Sequence, residues 1–317
     1  MSRKVLILAL AVAAASLCIP LLGHSYLTVH ATRILIYAIF AMSLDLLVGY
    51  CGLVSLGHAA FFGVAAYATA LLSAKAGIAN ILISLPFSVF AAAAAALMIG
   101  LLVLRTAGIY FIMTTLAFAQ MLFFLVNDND FFGGSDGILL LARFTVGPGW
   151  LNASDVVVRY YLVLAATIAV LIGLAFLTNS PFGRILQGIK SNERRMRALG
   201  YPVFRYKLAC FVLGGALAGL AGHLYVLLTS LADPSIMDWI HSAQVLMMVI
   251  LGGLGTLVGP IIGAFLLIEL VDQVAELTEH WRLIVGIVVV LAVLYGKGGI
   301  AGVFASWCRS RQPGRSA

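Results

Sequence analysis

The sequence predicts an all-α membrane protein: a polytopic helical bundle of about ten transmembrane spans, with a broken or re-entrant pair near residues 240–271. Three observations predict it. Hydrophobic residues make up 63% of the 317 residues and charged residues 10%, against about 45–50% and about 25% in soluble domains. So few charges cannot cover a water-facing surface, and lipid must cover most of it. The apolar residues come in long runs without strand-like alternation, which excludes a transmembrane barrel and leaves helices that satisfy their own backbone polar groups. Finally, Lys and Arg gather in alternate loops, the signature of repeated crossing.

The spans read in order as 5–23, 34–50, 56–74, 79–104, 108–126, 157–177, 208–230, 240–251, 258–271 and 283–296. The first follows Met1-Ser2-Arg3-Lys4. Its apolar run exceeds a usual signal-peptide core and no cleavage site stands out, so an uncleaved first helix is expected. The pair 240–251 and 258–271 is too short for two straight crossings of about 20 residues. It reads as two short spans, a re-entrant hairpin or one broken helix.

Charge tests this order. With the N-terminus cytoplasmic, fourteen of the 19 Lys and Arg fall inside. The five outside are Arg33, Lys75, Arg143, Arg159 and Arg282. If 240–271 crossed once, the C-terminal Lys297, Arg309, Arg311 and Arg315 would move outside, against the positive-inside rule. Both termini are therefore expected in the cytoplasm.

The net charge of +7 is explained by these loops. It does not imply nucleic acid, since no basic patch is interleaved with exposed aromatics. Cys18, Cys51, Cys210 and Cys308 are scattered and form no CxxC, so neither a disulfide nor a metal site is expected. His24, His30, His223, His241 and His280 lack metal-ligand spacing. No cofactor is expected in this chain.

Two glycine-rich interruptions share a theme: Gly49-Tyr-Cys-Gly52-Leu-Val-Ser55-Leu-Gly57 early, and Gly252-Gly253-Leu-Gly255-Thr256-Leu-Val-Gly-Pro260 late. Matching breaks in two halves point to an internal duplication around a midplane pathway, or else to glycines that let helices pack closely. The pathway or helix-break candidates are Gly52, Ser55, Gly57, His58, Gly252, Gly253, Gly255 and Thr256. Asp45 joins them because an intramembrane carboxylate must face a cavity, a partner or water at the span end. Glu269 is read as wetted near the outer end. His58 either lines the route or packs between helices. Gln120, Asn127, Asp128 and Asn129 crowd an outer span end, and Gly133–Gly137 reads as outer turns.

The most informative segment is 178–207, which carries seven of the 19 positive residues between Arg184 and Lys207. Ser180 followed by Pro181 reads as a helix start. Asn192 can cap a second short helix, and Ala198-Leu199-Gly200-Tyr-Pro supplies its stop. Ile185, Ile189, Met196 and Leu199 make an apolar stripe with arginines opposite. This is a short amphipathic element on the cytoplasmic face, either an anchor on anionic lipid or a docking helix.

Here the sequence resembles a known family. Gly52-Leu-Val-Ser-Leu-Gly-His-Ala-Ala-Phe-Phe-Gly63, Gly108-Ile-Tyr-Phe111 and Gly133-Gly-Ser-Asp-Gly137 are similar to signatures of the LivM-type branched-chain amino-acid ABC transporter permeases. So are Ser180-Pro-Phe-Gly-Arg184, Asn192-Glu193, Ala198-Leu-Gly200, and Gly252-Gly-Leu-Gly-Thr256 with Gly259-Pro260. The resemblance implies a single transmembrane permease domain over 1–317 in the cell inner membrane, with 178–207 as a cytoplasmic coupling loop. It implies a second homologous permease subunit, two ATP-binding subunits and an external solute-binding protein as partners, besides membrane lipid. The ATPase-coupling residues would be Ile189, Asn192, Glu193, Arg194, Arg195, Arg197, Ala198, Leu199 and Gly200. In many ABC importers this loop has an acidic start; here Arg-Met-Arg stands there. The chain has no GxxxxGK[ST] phosphate loop, so ATP and Mg are expected in the partner subunits and not in this non-enzymatic chain. The alternatives are the same machinery carrying urea or short amides, or a stand-alone secondary transporter or channel, which intramembrane acids and helix breaks would also suit.

Overall fold

The structure, a computed structural model, describes residues 20, 24–140, 144–146, 151–152 and 155–295. The expected span 5–23, Cys18, Cys308, Arg143 and the cations beyond residue 295 lie outside them.

Eleven α-helices are present among the described residues. They are α1 (Ser25–Asp45), continued by a π-helical segment (Leu46–Cys51), α2 (His58–Ala76), α3 (Ile81–Val103), α4 (Ile109–Asn127), α5 (Val156–Asn179), α6 (Pro181–Ser191), α7 (Glu193–Ala198), α8 (Val203–Thr229), α9 (Trp239–Gly252), α10 (Gly259–Leu277) and α11 (Trp281–Tyr295). Six of them, α1 with its π segment, α2, α3, α4, α5 and α8, are long and apolar enough to cross a membrane, with 19 to 27 residues each. At about 1.5 Å per residue this covers about 28–40 Å, against a hydrocarbon core of about 30 Å. The chain is an all-α membrane protein. Of the other expected spans, 240–251 and 283–296 correspond to α9 and α11, apolar but only 14 and 15 residues long. The run 258–271 corresponds to α10, whose 19 residues include Glu269, Asp272 and Glu276.

Three helices extend five or more residues beyond the expected runs, among them α10, which ends at Leu277 rather than at 271. α1 starts at Ser25 rather than at 34, because its polar first turns are satisfied by the other half of the chain. His30 Nε2 lies 2.7 Å from Glu269 Oε1 and Nδ1 lies 3.4 Å from Asp272 Oδ2, while Arg33 donates to Asp272 at 3.3 Å. α8 starts at Val203 rather than at 208, and Lys207 inside it pairs with Glu193.

α8 stands at the centre, packed on α1, α2 and α3. Its Gly214, Gly215, Ala218, Gly219 and Gly222 form a buried small-residue face. A Cβ at Gly215 would overlap Ala96, one at Gly219 would overlap Ala92, and one at Gly222 would strike the Phe62 carbonyl. Small residues allow such close approach, which supplies helix association in lipid by van der Waals contact and not by water exclusion. α4 is the opposite case: only Phe111, Thr115, Ala119 and Val126 are buried along it.

Helix ends sort into two groups. At one end the segment before α3 meets the strand Thr145–Val146, with Thr145 N donating to Ala79 O at 2.9 Å. There too the strand Ile138–Leu139 pairs antiparallel with the strand Leu231–Ala232, and Lys75 donates to Phe131 O at 3.1 Å. The expected Gly133–Gly137 turns are present as two 3-10 turns, Asp130–Phe132 and Gly134–Asp136. At the other end lie both glycine breaks and the basic segment.

Candidate functional site

The basic segment forms two short helices. Ser180 caps α6, its Oγ accepting from Gly183 N at 3.4 Å with Pro181 in the first turn. Asn192 caps α7, its Oδ1 accepting from Arg195 N at 3.0 Å. Both caps follow from short oxygen side chains that satisfy free helix N–H groups. Gly200 ends the segment in the left-handed region at φ 86.

α6 buries Gly183, Leu186 and Ile189. This corrects the expected stripe: Leu186 is fully buried, Ile185 and Met196 are half-buried, and Leu199 is 65% exposed. The reason is that α7 is a separate helix after the Asn192 turn, so its phase does not continue that of α6. α7 itself buries none of its residues. Arg194, Arg195, Arg197, Ala198, Leu199 and Gly200 therefore lie on an open surface, while Ile189 faces the protein. Glu193 does not join the open cations. Its Oε2 accepts from Lys207 at 2.6 Å and its Oε1 from Arg197 at 2.5 Å. Partial burial raises the Glu193 carboxyl, but the hydrogen bonds and charges of Lys207 and Arg197 outweigh it and hold the group below its ordinary value.

The two glycine breaks, some two hundred residues apart in sequence, touch. Asp45, 2% exposed, accepts from Gly255 N through Oδ1 at 2.8 Å. This settles its surroundings: it is buried and hydrogen-bonded across the two breaks. Gly49 lies against Gly255 so closely that a Cβ there would overlap Gly255 backbone and the Asp45 carboxylate. Gly52 and Gly255 have φ of 79 and 72, a region that side chains with a Cβ disfavour. Thr256 is the local brace of the second break, donating to Gly253 O at 2.7 Å and accepting from Gly259 N at 3.1 Å. Gly252 packs on Gly259 and Pro260, and Gly253 is buried. Between the breaks and α5 is a small cleft lined by Asp45, Tyr50, Thr178, Thr256 and Pro260 among others.

Lys190 reaches this junction from α6, donating to Gly49 O at 2.6 Å. Sequence reading missed it. Its signal was available in part, since it is the last-turn cation on a helix already suspected, but its acceptor is a backbone carbonyl 141 residues away.

The rest of the first break forms a second group beside the junction. His58, fully buried, has Nε2 2.8 Å from Ser43 Oγ and stacks on Phe40. Ser55 Oγ accepts from Gly57 N at 3.3 Å. The start of α2 is closed by hydroxyls from other helices: Ala59 N donates to Ser242 Oγ at 2.9 Å and Leu56 N to Thr115 Oγ1 at 3.3 Å. At the far end, Gln120 donates to Asp238 at 2.8 Å, while Glu269, expected to be wetted, is half-buried against His30. Among the described residues no group of three or more His, Cys, Asp or Glu is placed to hold a metal ion.

Residues 26–294 match the family described as branched-chain amino acid transport system / permease component. The chain belongs to this family. It is 31% identical over 292 residues to the high-affinity branched-chain amino acid transport system permease protein LivM of Salmonella typhimurium, covering 85% of this chain and 68% of that protein. The LivM protein of Escherichia coli matches with the same identity and coverage. A more distant relative, the xylose transport system permease protein XylH of Escherichia coli, is 30% identical over 139 residues, 41% of this chain and 35% of that one. No solved structure matches. The chain is thus a membrane permease and not itself a catalyst.

Proposed function

We propose that this chain is the permease subunit of an ATP-driven inner-membrane importer for branched-chain or related amino acids. It works with a second homologous permease subunit, two ATP-binding subunits that hold ATP and Mg, and an external solute-binding protein. Residues 1–317 act as one transmembrane domain with both termini in the cytoplasm. It makes about ten crossings, of which α9 and α10 form a broken or re-entrant pair. Segment 178–207 is the cytoplasmic coupling loop. Ile189 anchors it and Asn192 shapes it. Glu193 braces it against α8. Arg194, Arg195, Arg197, Ala198, Leu199 and Gly200 meet the ATP-binding subunits. Asp45, Gly52, Ser55, Gly57, His58, Gly252, Gly253, Gly255 and Thr256 belong to the part of the bundle that moves around the pathway.

One observation carries this reading beyond family membership: α7 is capped and shaped yet buries nothing of its own, while α6 beneath it grips the first glycine break. A plain lipid anchor needs charge but no such geometry. Membership of a transport-system permease family favours it over a stand-alone carrier. ATP-driven closure must favour one of two permease conformations for transport to follow.

Arg194, Arg195 and Arg197 replaced together by Glu should release the ATP-binding subunits from the detergent-purified complex. Unchanged co-purification refutes the docking role. Cargo is tested by transport and ATPase stimulation with the cognate binding protein across leucine, urea and short amides. Leucine should stimulate, and a response to urea alone refutes the cargo.

A further inference from the structure

Lys190 differs from the other cations of its segment. Lys190, Arg194 and Arg195 are all exposed as residues, but the Lys190 ammonium donates to Gly49 O at 2.6 Å, a partly buried bond. That carbonyl belongs to the π segment that ends α1. The last carbonyls of a helix lack N–H partners. Leu47 O is taken by Leu53 N at 2.9 Å, and Gly49 O is taken by Lys190. A cation at a helix C-terminus is also favoured by the helix dipole. The lysine stem passes over Gly52, where a Cβ would stand 3.1 Å from Lys190 Cγ.

The contact continues inward. A Cβ at Gly255 would stand 3.1 Å from Gly49 O, so the carbonyl that accepts Lys190 also lies against the second break. Asp45 holds that break from the other side through Gly255 N at 2.8 Å. Lys190, Gly49, Gly255 and Asp45 thus join three separate parts of the chain with two hydrogen bonds to the ionisable side chains of Lys190 and Asp45 and one backbone-to-backbone contact that tolerates no side chain.

We infer that Lys190 and Asp45 are the positioning residues that pass movement of the α6–α7 element into both glycine breaks, so that the permease changes conformation when its cytoplasmic face is pushed. This rests on the docking role of α7 and adds what lies behind it. The tie acts by rigidity: displacing α6 pulls on Gly49 O, and Gly49 cannot move without Gly255.

The test uses the full complex with ATP-binding subunits and binding protein in proteoliposomes. K190M keeps the length of the side chain and removes the donor, and K190R keeps a charged donor. D45A removes the acceptor at the other end. The ATP-binding subunits should co-purify with each variant and still hydrolyse ATP. In K190M and D45A, substrate uptake per ATP hydrolysed should fall about tenfold or more, since a hydrogen bond to a charged group is a factor of that order in an equilibrium. K190R should retain most of the coupling. The K190M/D45A double variant should be no worse than either single, because both cut one tie and their effects cannot add. Should K190M fail to fold, D45L, which is close to Asp in size and has no acceptor for Gly255 N, stands in for it.

Uptake per ATP within about twofold of wild type in K190M would overturn the inference, as an effect smaller than one such hydrogen bond supplies. So would a fully additive double variant, or a K190R as defective as K190M. Loss of the ATP-binding subunits from K190M alone would make Lys190 a docking contact and also overturn it. The docking role fails separately, if the Arg194, Arg195 and Arg197 triple variant retains those subunits.

Discussion

Replacing Gly49 by Ala introduces one methyl group where two backbones meet. Its Cβ would stand 2.5 Å from Gly255 N and 2.7 Å from Gly255 Cα, where real Cβ atoms keep 3.0 Å or more. Both are main-chain atoms, so no rotamer relieves the overlap. To reach ordinary contact the second break must retreat by about 0.9 Å, and the 2.8 Å bond from Gly255 N to Asp45 then opens beyond hydrogen-bonding range. Overpacking of a filled interior costs about 1–3 kcal/mol, and a hydrogen bond to a charged group contributes about 1.5–3 kcal/mol. Together they give a loss of about 2.5–6 kcal/mol. By the roughly 2–4 °C per kcal/mol of domains of 150–250 residues, this is a drop in melting midpoint of about 5–24 °C. The assay is thermal unfolding of the detergent-purified permease, followed by reaction of its buried thiols Cys51 and Cys210 with a fluorogenic dye. Gly173→Ala is the control: this glycine lies in α5 with nothing within 4 Å of its Cβ position, so the change should be neutral or stabilising by about 0.5–1 kcal/mol. If Gly49→Ala melts with Gly173→Ala and the wild type, the junction is not the tight contact described.

Gly219→Leu should do more damage at the centre of the bundle, since a Cβ there overlaps Ala92 and stands 3.3 Å from Ala65; loss of the monodisperse gel-filtration peak checks it, and a wild-type profile refutes the close packing of α8. Glu193→Gln should lower stability slightly at neutral pH. The folded carboxyl is held below its ordinary value, so its contribution is present above the unfolded pKa of about 4.3 and disappears as pH falls through the lower folded value. The pair is partly exposed, so the effect at pH 7 is a few tenths of a kcal/mol; the gap between the melts of the two forms should close as the pH falls below the folded value, and a gap that widens on acidification refutes the sign. Arg33→Ala, which leaves Asp272 with His30 alone, should likewise loosen the far end of α1 and α10, read as a lower melting midpoint; an unchanged midpoint refutes a stabilising role for the pair.

Much of the site was legible in the sequence because its signals are local. Ser180 and Asn192 were recognisable as caps because capping depends on neighbouring residues alone. Both glycine breaks were visible as interruptions of apolar runs. Asp45 stood out because an isolated carboxylate in such a run requires a partner. The start of α1 was not legible, since Thr28, His30 and Arg33 read as loop until Glu269 and Asp272 are brought beside them. The stripe failed because it was drawn across α6 and α7, and the helix that begins after Asn192 does not continue the phase of α6 and buries none of its residues.

Composition and charge by themselves determined that the chain is helical, lies in a membrane and crosses it repeatedly, because those outcomes depend on transfer of residues between water and hydrocarbon, summed along the chain. The partners within the fold were decided only in three dimensions. That Gly49 needs to be glycine, that Asp45 answers Gly255 and that Lys190 answers a carbonyl 141 residues away follow from two backbones meeting. Backbone N–H and C=O groups are the same at every position, so sequence carries no record of which of them a distant side chain will find.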